Sequence, residues 1–146
     1  MYKHILIPTD GSKLSEKAIR EGIDLARTVH AEVTLLTASA PFHALLAQAA
    51  TLPSHTATEY ARLAEKNAAD RLKPGEDYAR SHGVPVRTEH VFSEFPHEAI
   101  VDAARRDHCD LVCMASRGRR GLAGLLLGSE THKVLTHSKI PVLVCR

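Results

Sequence analysis

The chain predicts an α/β fold, an open parallel five-stranded sheet with helices on both faces. Three observations lead there. Five short apolar runs, His4–Pro8, Glu32–Ala38, Val86–Phe92, Leu111–Ala115 and Pro141–Cys145, are spaced along the sequence. Most are continuous rather than alternating, as in Ile5-Leu6-Ile7 and Val142-Leu143-Val144, which suits strands covered on both faces. The segments between them carry helical periodicity. Strand and helix in strict alternation build a parallel sheet through right-handed crossovers.

Each element has its own justification. HILIP forms the first strand and ends in Pro8-Thr9-Asp10-Gly11. Ser12 then caps a helix, with Glu16 close behind. Leu14, Ala18, Ile19, Gly22, Ile23, Leu25 and Ala26 give that helix an apolar stripe. The second strand runs to Ala38. Residues Ser39–Ser54 are neither charged nor regular, and read either as a lid over a site or as a variable loop with a short helical turn. A second helix is expected over Ala57–His82, with Tyr60, Leu63, Ala64, Ala68, Leu72 and Ala79 in register. Pro74-Gly75 interrupts it, and because the register survives it reads as one kinked helix. Gly83 terminates that helix. Val86–Val91 alternates and reads as a half-exposed edge strand. A helix over Pro96–Asp107 follows, with Ile100, Val101, Ala103 and Ala104 inward. After the fourth strand, the last helix opens at Gly128-Ser129 and runs to His137, with Val134 and Leu135 expected inward.

Bulk properties bound the function. The 146 residues suffice for one domain with its own core, so residues 1–146 read as a single unit. Net charge is +2 and aromatic residues are 4%, which argues against a nucleic-acid binder with a basic face and stacking platforms. The three cysteines show no C-x-x-C spacing and read as reduced, buried thiols. No run approaches a membrane span, and the apolar core of the N-terminus is too short for a signal peptide. A cytoplasmic protein is expected. Ten histidines are scattered over unrelated elements, and His132 and His137 do not share a helical face, so no metal site is expected from them. G-x-S-x-G is absent, which removes the commonest serine-nucleophile reading.

The chemistry concentrates in MASRGRRGLAGLLLGS, residues 114–129. Four glycines and three arginines lie there between a buried strand and a helix start. Met114–Gly118 carries the chain off the strand and lets backbone approach a ligand. Residues 119–127 loop outward, and their closing leucines are expected to plug into the core. Gly128-Ser129 leaves free N–H groups and the positive helix end facing the loop. Amides, a hydroxyl and guanidinium groups around one concavity suit phosphate. The loop is neither G-x-x-x-x-G-K-[ST] nor G-x-G-x-x-G. In an open parallel sheet such a loop falls where ligands bind, outside the carboxyl ends of the strands.

HILIPTDGSKLSEKAI, VTLLTA and LVCMASRGRRGLAGLLLGSETHKVLTHSKIPVLVCR together resemble the universal stress protein family over essentially the whole chain. The nucleotide-binding branch of that family carries glycine, two residues, glycine, nine residues, then glycine and serine or threonine. Gly118, nine intervening residues, Gly128 and Ser129 fit; Ala115 replaces the first glycine. If that glycine serves a left-handed conformation, alanine costs about 1–2 kcal/mol. If it serves close approach to a ribose, a methyl group excludes the ligand; if the backbone is ordinary, nothing is lost.

The resemblance implies a Rossmann-like fold and a dimeric stress-response regulator that is not an enzyme and binds an adenine nucleotide, with ATP favoured and Mg accompanying the triphosphate. It implies that Asp10 and the backbone of Ala38 meet the adenine, with Pro8 and Thr9 as the floor. Met114, Ala115 and Gly118 would lie along the ribose and first phosphate, and Gly128, Ser129 and the amide of Glu130 would hold the distal phosphates. Arg117 and Arg119 join them on charge and position. The homodimer would form through residues 141–145, whose apolar edge invites pairing with a second copy. Two alternatives stand beside this reading: a dimeric interaction module without nucleotide, marked by Ala115, and a slow ATPase using Asp10 and Glu130.

Overall fold

The computed structural model describes residues 1–51, 56–119, 121, 124 and 126–146. The strands are β1 (His4–Pro8), β2 (Glu32–Ser39), β3 (Val86–Phe92), β4 (Leu111–Ala115) and β5 (Val142–Cys145). The helices are α1 (Lys13–Val29), α2 (Phe42–Gln48), α3 (Ala57–Ser81), α4 (Pro96–Arg106) and α5 (Ser129–His137). One five-stranded sheet results, in the order β3-β2-β1-β4-β5, and every pairing is parallel. The fold class is the expected one.

Strand side chains alternate between two cores, as the pleat requires. Ile5, Ile7, Val33, Leu35, Leu111, Cys113 and Ala115 meet Ala18, Ile19, Ile23, Ala26, Leu72 and Ala79 of α1 and α3. Leu6, Leu36, Val112 and Met114 meet Ile100, Ala103, Ala104 and Val134 of α4 and α5 on the other face. The continuous apolar runs are thus the mark of a sheet buried twice.

Chain order reverses at β1, whose neighbours are β2 and β4. The β1–β2 ladder runs the full strand, from His4↔Glu32 to Pro8↔Leu36. The β1–β4 ladder comprises only Ile5↔Leu111 and Leu6↔Val112. The β1–β4 pairing ends there, at the point of chain reversal where this topology offers a ligand its place.

The helix starts follow their caps. The Ser12 hydroxyl accepts the Ser15 N–H at 3.2 Å, and Thr56 with Glu59 forms a capping box that opens α3. α3 is a single helix of 25 residues with Pro74 inside it. Gly75 explains how it closes on the sheet. A Cβ there would come within 2.9 Å of both Ile19 Cγ2 and Leu35 Cδ1.

Three expectations need correction. The segment after β2 contains a true helix, α2, whose Ala44 is buried and whose Phe42 ring lies 5.5 Å from that of Tyr60. Residues 52–54, the remainder of the candidate lid, lie outside the described residues. Leu135 is 40% exposed while Val134 is fully buried; adjacent helix positions face about 100° apart, and in α5 the inward direction falls on Val134. Leu126 is 69% exposed and Leu127 half-buried, so these two do not plug into the core; Leu125 lies outside the described residues. The three cysteines are free and buried. Cys113 and Cys145 bring their sulfurs to 3.6 Å, and burial pushes the Cys113 thiol up to about 11.

Candidate functional site

The β1–α1 turn forms one wall. Thr9 N–H donates to the Leu36 carbonyl at 2.8 Å and so prolongs the ladder. Its buried hydroxyl lies 2.9 Å from that of Ser15 and accepts the Gly11 N–H at 3.1 Å. The Thr37 hydroxyl donates to the Thr9 carbonyl at 2.8 Å. Gly11 takes φ +78°, which lets the chain double back into α1. Thr9 is therefore held from four directions, and Asp10 projects from a rigid turn. Pro8 ends β1 beside Leu36, and Ala38 is half-buried near the end of β2, in register with Val91.

Asp10 spans the crevice. One carboxylate oxygen accepts the Ser12 N–H at 2.9 Å and the other accepts the Arg119 N–H at 2.6 Å. Burial alone would raise its pKa. Hydrogen bonds from Ser12, from the Arg119 backbone and from Ser15 outweigh that and hold it below the usual aspartate value. Gly118 is pressed against this contact. A Cβ at residue 118 would stand 2.4 Å from the Asp10 carboxylate oxygen.

The β4–α5 loop forms the opposite wall. Met114, Ala115 and Ser116 are buried, and the Ser116 N–H donates to the Cys145 carbonyl at 2.8 Å. The loop is pinched at its neck, where the Gly128 N–H donates to the Ser116 carbonyl at 2.6 Å. A Cβ on Gly128 would come 3.1 Å from the Arg117 Cα, a backbone atom with little room to yield. The Thr131 hydroxyl donates to the Ala115 carbonyl at 2.9 Å and ties α5 to β4.

Ala115 is the last residue of β4, with ordinary negative φ, and its methyl belongs to the core beneath α1. The left-handed reading of that position therefore does not apply to Ala115.

Gly128 is the N-cap of α5 and offers no capping side chain. Among the described residues no acceptor meets the N–H groups of Ser129 and Glu130. Two free amides at the positive end of a helix therefore face the neck of the loop. The Glu130 side chain turns away towards α4, where it accepts the His97 N–H at 2.9 Å. Burial pushes its pKa up, but hydrogen bonds from His97 and Lys133 bring it below the usual glutamate value.

The arginines divide. Arg117 is half-buried and lines a cavity of about 270 Å³ together with Leu14, Ser116, Gly124, Leu126 and Arg146. That cavity adjoins α1 and the C-terminus and includes neither Asp10 nor Ala38. Arg119 is exposed, and its guanidinium reaches within 3.0 Å of where a Gly11 Cβ would be. Arg120 lies outside the described residues. Asp10 thus brings the β1–α1 turn, with Pro8 and Thr9, against Gly118 and Arg119 of the loop, while Met114 and Ala115 lie at the end of β4 and Gly128, Ser129 and Glu130 at the start of α5. The sequence reading missed Thr131, which anchors α5, and His97, which holds Glu130 from another helix. Nothing in the local pattern around either residue signals those contacts.

Among the described residues no three His, Cys, Asp or Glu side chains gather as a metal site. The two acidic candidates, Asp10 and Glu130, are both engaged by protein donors. No helix among the described residues is long and apolar enough to cross a membrane.

Comparison with known proteins agrees with this architecture. The profile described as Universal stress protein family matches residues 1–146. Universal stress protein MJ0531 of Methanocaldococcus jannaschii is 32% identical, over 100% of this chain and 83% of its own length. The solved structure of protein MJ0577, from the same organism, superposes with a TM-score of 0.84 at 29% identity, covering 99% of this chain and 96% of that one. A universal stress protein solved in complex with cAMP shares the fold at 24% identity and TM-score 0.71, over 98% of this chain and 95% of that one.

Proposed function

Because the chain belongs to the universal stress protein family, we propose that it binds an adenine nucleotide, ATP in preference, across the carboxyl ends of β1, β2 and β4. In this reading it is a cytoplasmic, dimeric, non-enzymatic regulator. One observation carries the reading. Gly128 caps α5 without a side chain and leaves the Ser129 and Glu130 amides free at the mouth of a glycine-lined loop. Phosphate oxygens satisfy such amides directly. Each hydrogen bond to a charged partner contributes about 1.5–3 kcal/mol, against about 0.3–1 kcal/mol from the helix dipole. The amides dominate. The adenine would lie against Pro8 and Thr9, with Asp10 and the Ala38 backbone at its polar edge, and the ribose along Met114, Ala115 and Gly118. Arg117 and Arg119 would flank the phosphates. The relative solved with cAMP supports an adenylate as the class of ligand.

Titration calorimetry tests this. ATP is expected to bind the native protein, and Gly128→Val, which drives a branched side chain into the Arg117 backbone, is expected to abolish binding while the fold persists by circular dichroism. Absence of heat with the native protein at millimolar ATP would overturn the reading. A second reading, an interaction module without nucleotide, is favoured by Asp10, whose two oxygens already hold the Ser12 and Arg119 amides. Gain of ATP binding in Ala115→Gly, from a native protein that binds none, would decide for it.

A further inference from the structure

The cavity of about 270 Å³ beside the glycine loop is built from four separate stretches of chain. Leu14 comes from the first turn of α1, Ser116 and Arg117 from the end of β4, Gly124 and Leu126 from the loop, and Arg146 from beyond β5. Asp10, Ala38, Gly128, Ser129 and Glu130 do not border it. Its apolar share is Leu14, packed against the core under α1, and Leu126, which is left 69% exposed. Its polar share consists of donors. Among the described residues neither guanidinium, of Arg117 or of Arg146, meets an acceptor. Ser116 is only 5% exposed, and its hydroxyl has no partner among them either. Lys17 adds an ammonium nearby, where its Nζ donates to the Arg146 carbonyl. Glu21, one turn further along α1, is already engaged by Lys17 at 3.6 Å. A half-buried cation beside apolar walls, with no acid to neutralise it, is stabilised by an anion.

Size narrows the class. At about 30 Å³ per water the space holds about nine waters, and it falls just below the range of about 300–1,000 Å³ that encloses drug-sized ligands. A nucleotide exceeds it, and a bare inorganic anion would leave Leu14 and Leu126 against water. We propose that this cavity is a second binding site, which takes a small organic monoanion with a short apolar chain and a carboxylate head. The chain covers Leu14 and Leu126. The carboxylate accepts from Arg117 and Arg146, whose planar forks match its two oxygens, and from the Ser116 hydroxyl. Nucleotide binding is not required for this, since Arg117 is the only residue common to the two sites.

Hexanoate is the probe, titrated into the native protein while the amide resonances of Ser116, Gly124 and Leu126 are followed by NMR. Saturable shifts centred on those residues are expected, with a Kd of about 1 mM. Hexanol and hexylammonium, which keep the chain and change the head, are expected to bind about tenfold more weakly or worse, as is inorganic phosphate, which has no chain. Arg146→Gln is expected to weaken hexanoate about three- to tenfold, and Arg117→Gln at least as much. Arg146 lies beyond the last strand, so its replacement leaves the sheet intact, and circular dichroism checks this. Leu126→Asp, at an exposed position, is expected to weaken hexanoate by a similar factor. Absence of saturable shifts, equal affinity for hexanol, or unchanged affinity in Arg146→Gln would each overturn the inference. Displacement of hexanoate by an equal concentration of phosphate would do so too. ATP affinity is expected to be the same in Arg146→Gln as in the native protein, and a native protein that binds hexanoate without ATP overturns the nucleotide reading alone.

Discussion

Asp10 joins two segments 109 residues apart, because one carboxylate holds both the β1–α1 turn and the backbone of the glycine loop. Its folded pKa is depressed, so it stabilises the protein fully above the unfolded aspartate value of about 4 and loses that contribution as pH falls through the folded value. Asp10→Ala is expected to cost about 1–2 kcal/mol near neutrality, somewhat less than a fully buried charged hydrogen-bond pair would. Urea unfolding at neutral and at acid pH checks it, since the gap from the native protein must close below about pH 4. A gap that persists in acid would mean that the effect is packing, with no part played by charge. The same residue shows what a single chain discloses. The pattern Pro8-Thr9-Asp10-Gly11 announces a turn, and the resemblance announces a ligand contact; the bond to Arg119 appears only once the loop is folded back.

At the scale of elements, the legible features were those whose signal lies within one segment. The strands were readable because β1, β2, β4 and β5 are written as nearly continuous apolar runs and β3 as an alternation. α2 was legible only as a short helical turn: it spans seven residues, its N-cap is Pro41 without a side-chain hydrogen bond, and its packing partner Tyr60 belongs to another helix. Leu135 was misplaced because a short helix gives too few turns to fix its inward face. Gly75 is the opposite case, a residue that looks like a helix breaker and proves to be a fitting. Alanine there would gain about 1 kcal/mol of helix propensity. It would also place a methyl 2.9 Å from Ile19 and Leu35 together, and overpacking of that kind costs about 1–3 kcal/mol. Packing is expected to win, with Gly75→Ala destabilised by up to about 2 kcal/mol in urea unfolding. Pairing it with Leu35→Ala is expected to recover part of that loss; strict additivity of the two changes would show that the contact does not matter.

The whole molecule presents two sheet edges, and they are not alike. β3 carries Arg87, Glu89 and His90 along its strand, and charges at an edge discourage pairing with other chains. β5 reads Val142-Leu143-Val144-Cys145 and bears no charge; Leu143 is 41% exposed, with half-buried Val142 and Val144 on either side. One edge is defended and the other is left open. That asymmetry supports a homodimer built on β5, which the resemblance also implies. It bears on the ligand site too, because the carboxyl end of β5 accepts the Ser116 N–H at the root of the glycine loop. Pairing at this edge would steady Cys145 and Ser116, and with them the neck at which Gly128 closes. Leu143→Glu places a charge at the centre of the open edge and is expected to shift sedimentation velocity from dimer to monomer without loss of helical content. If the dimer forms and depends on this edge, the same variant is expected to bind ATP more weakly although no residue of the crevice has changed. A variant that sediments as the native protein does would assign the subunit contact to another surface and detach the edge from the site.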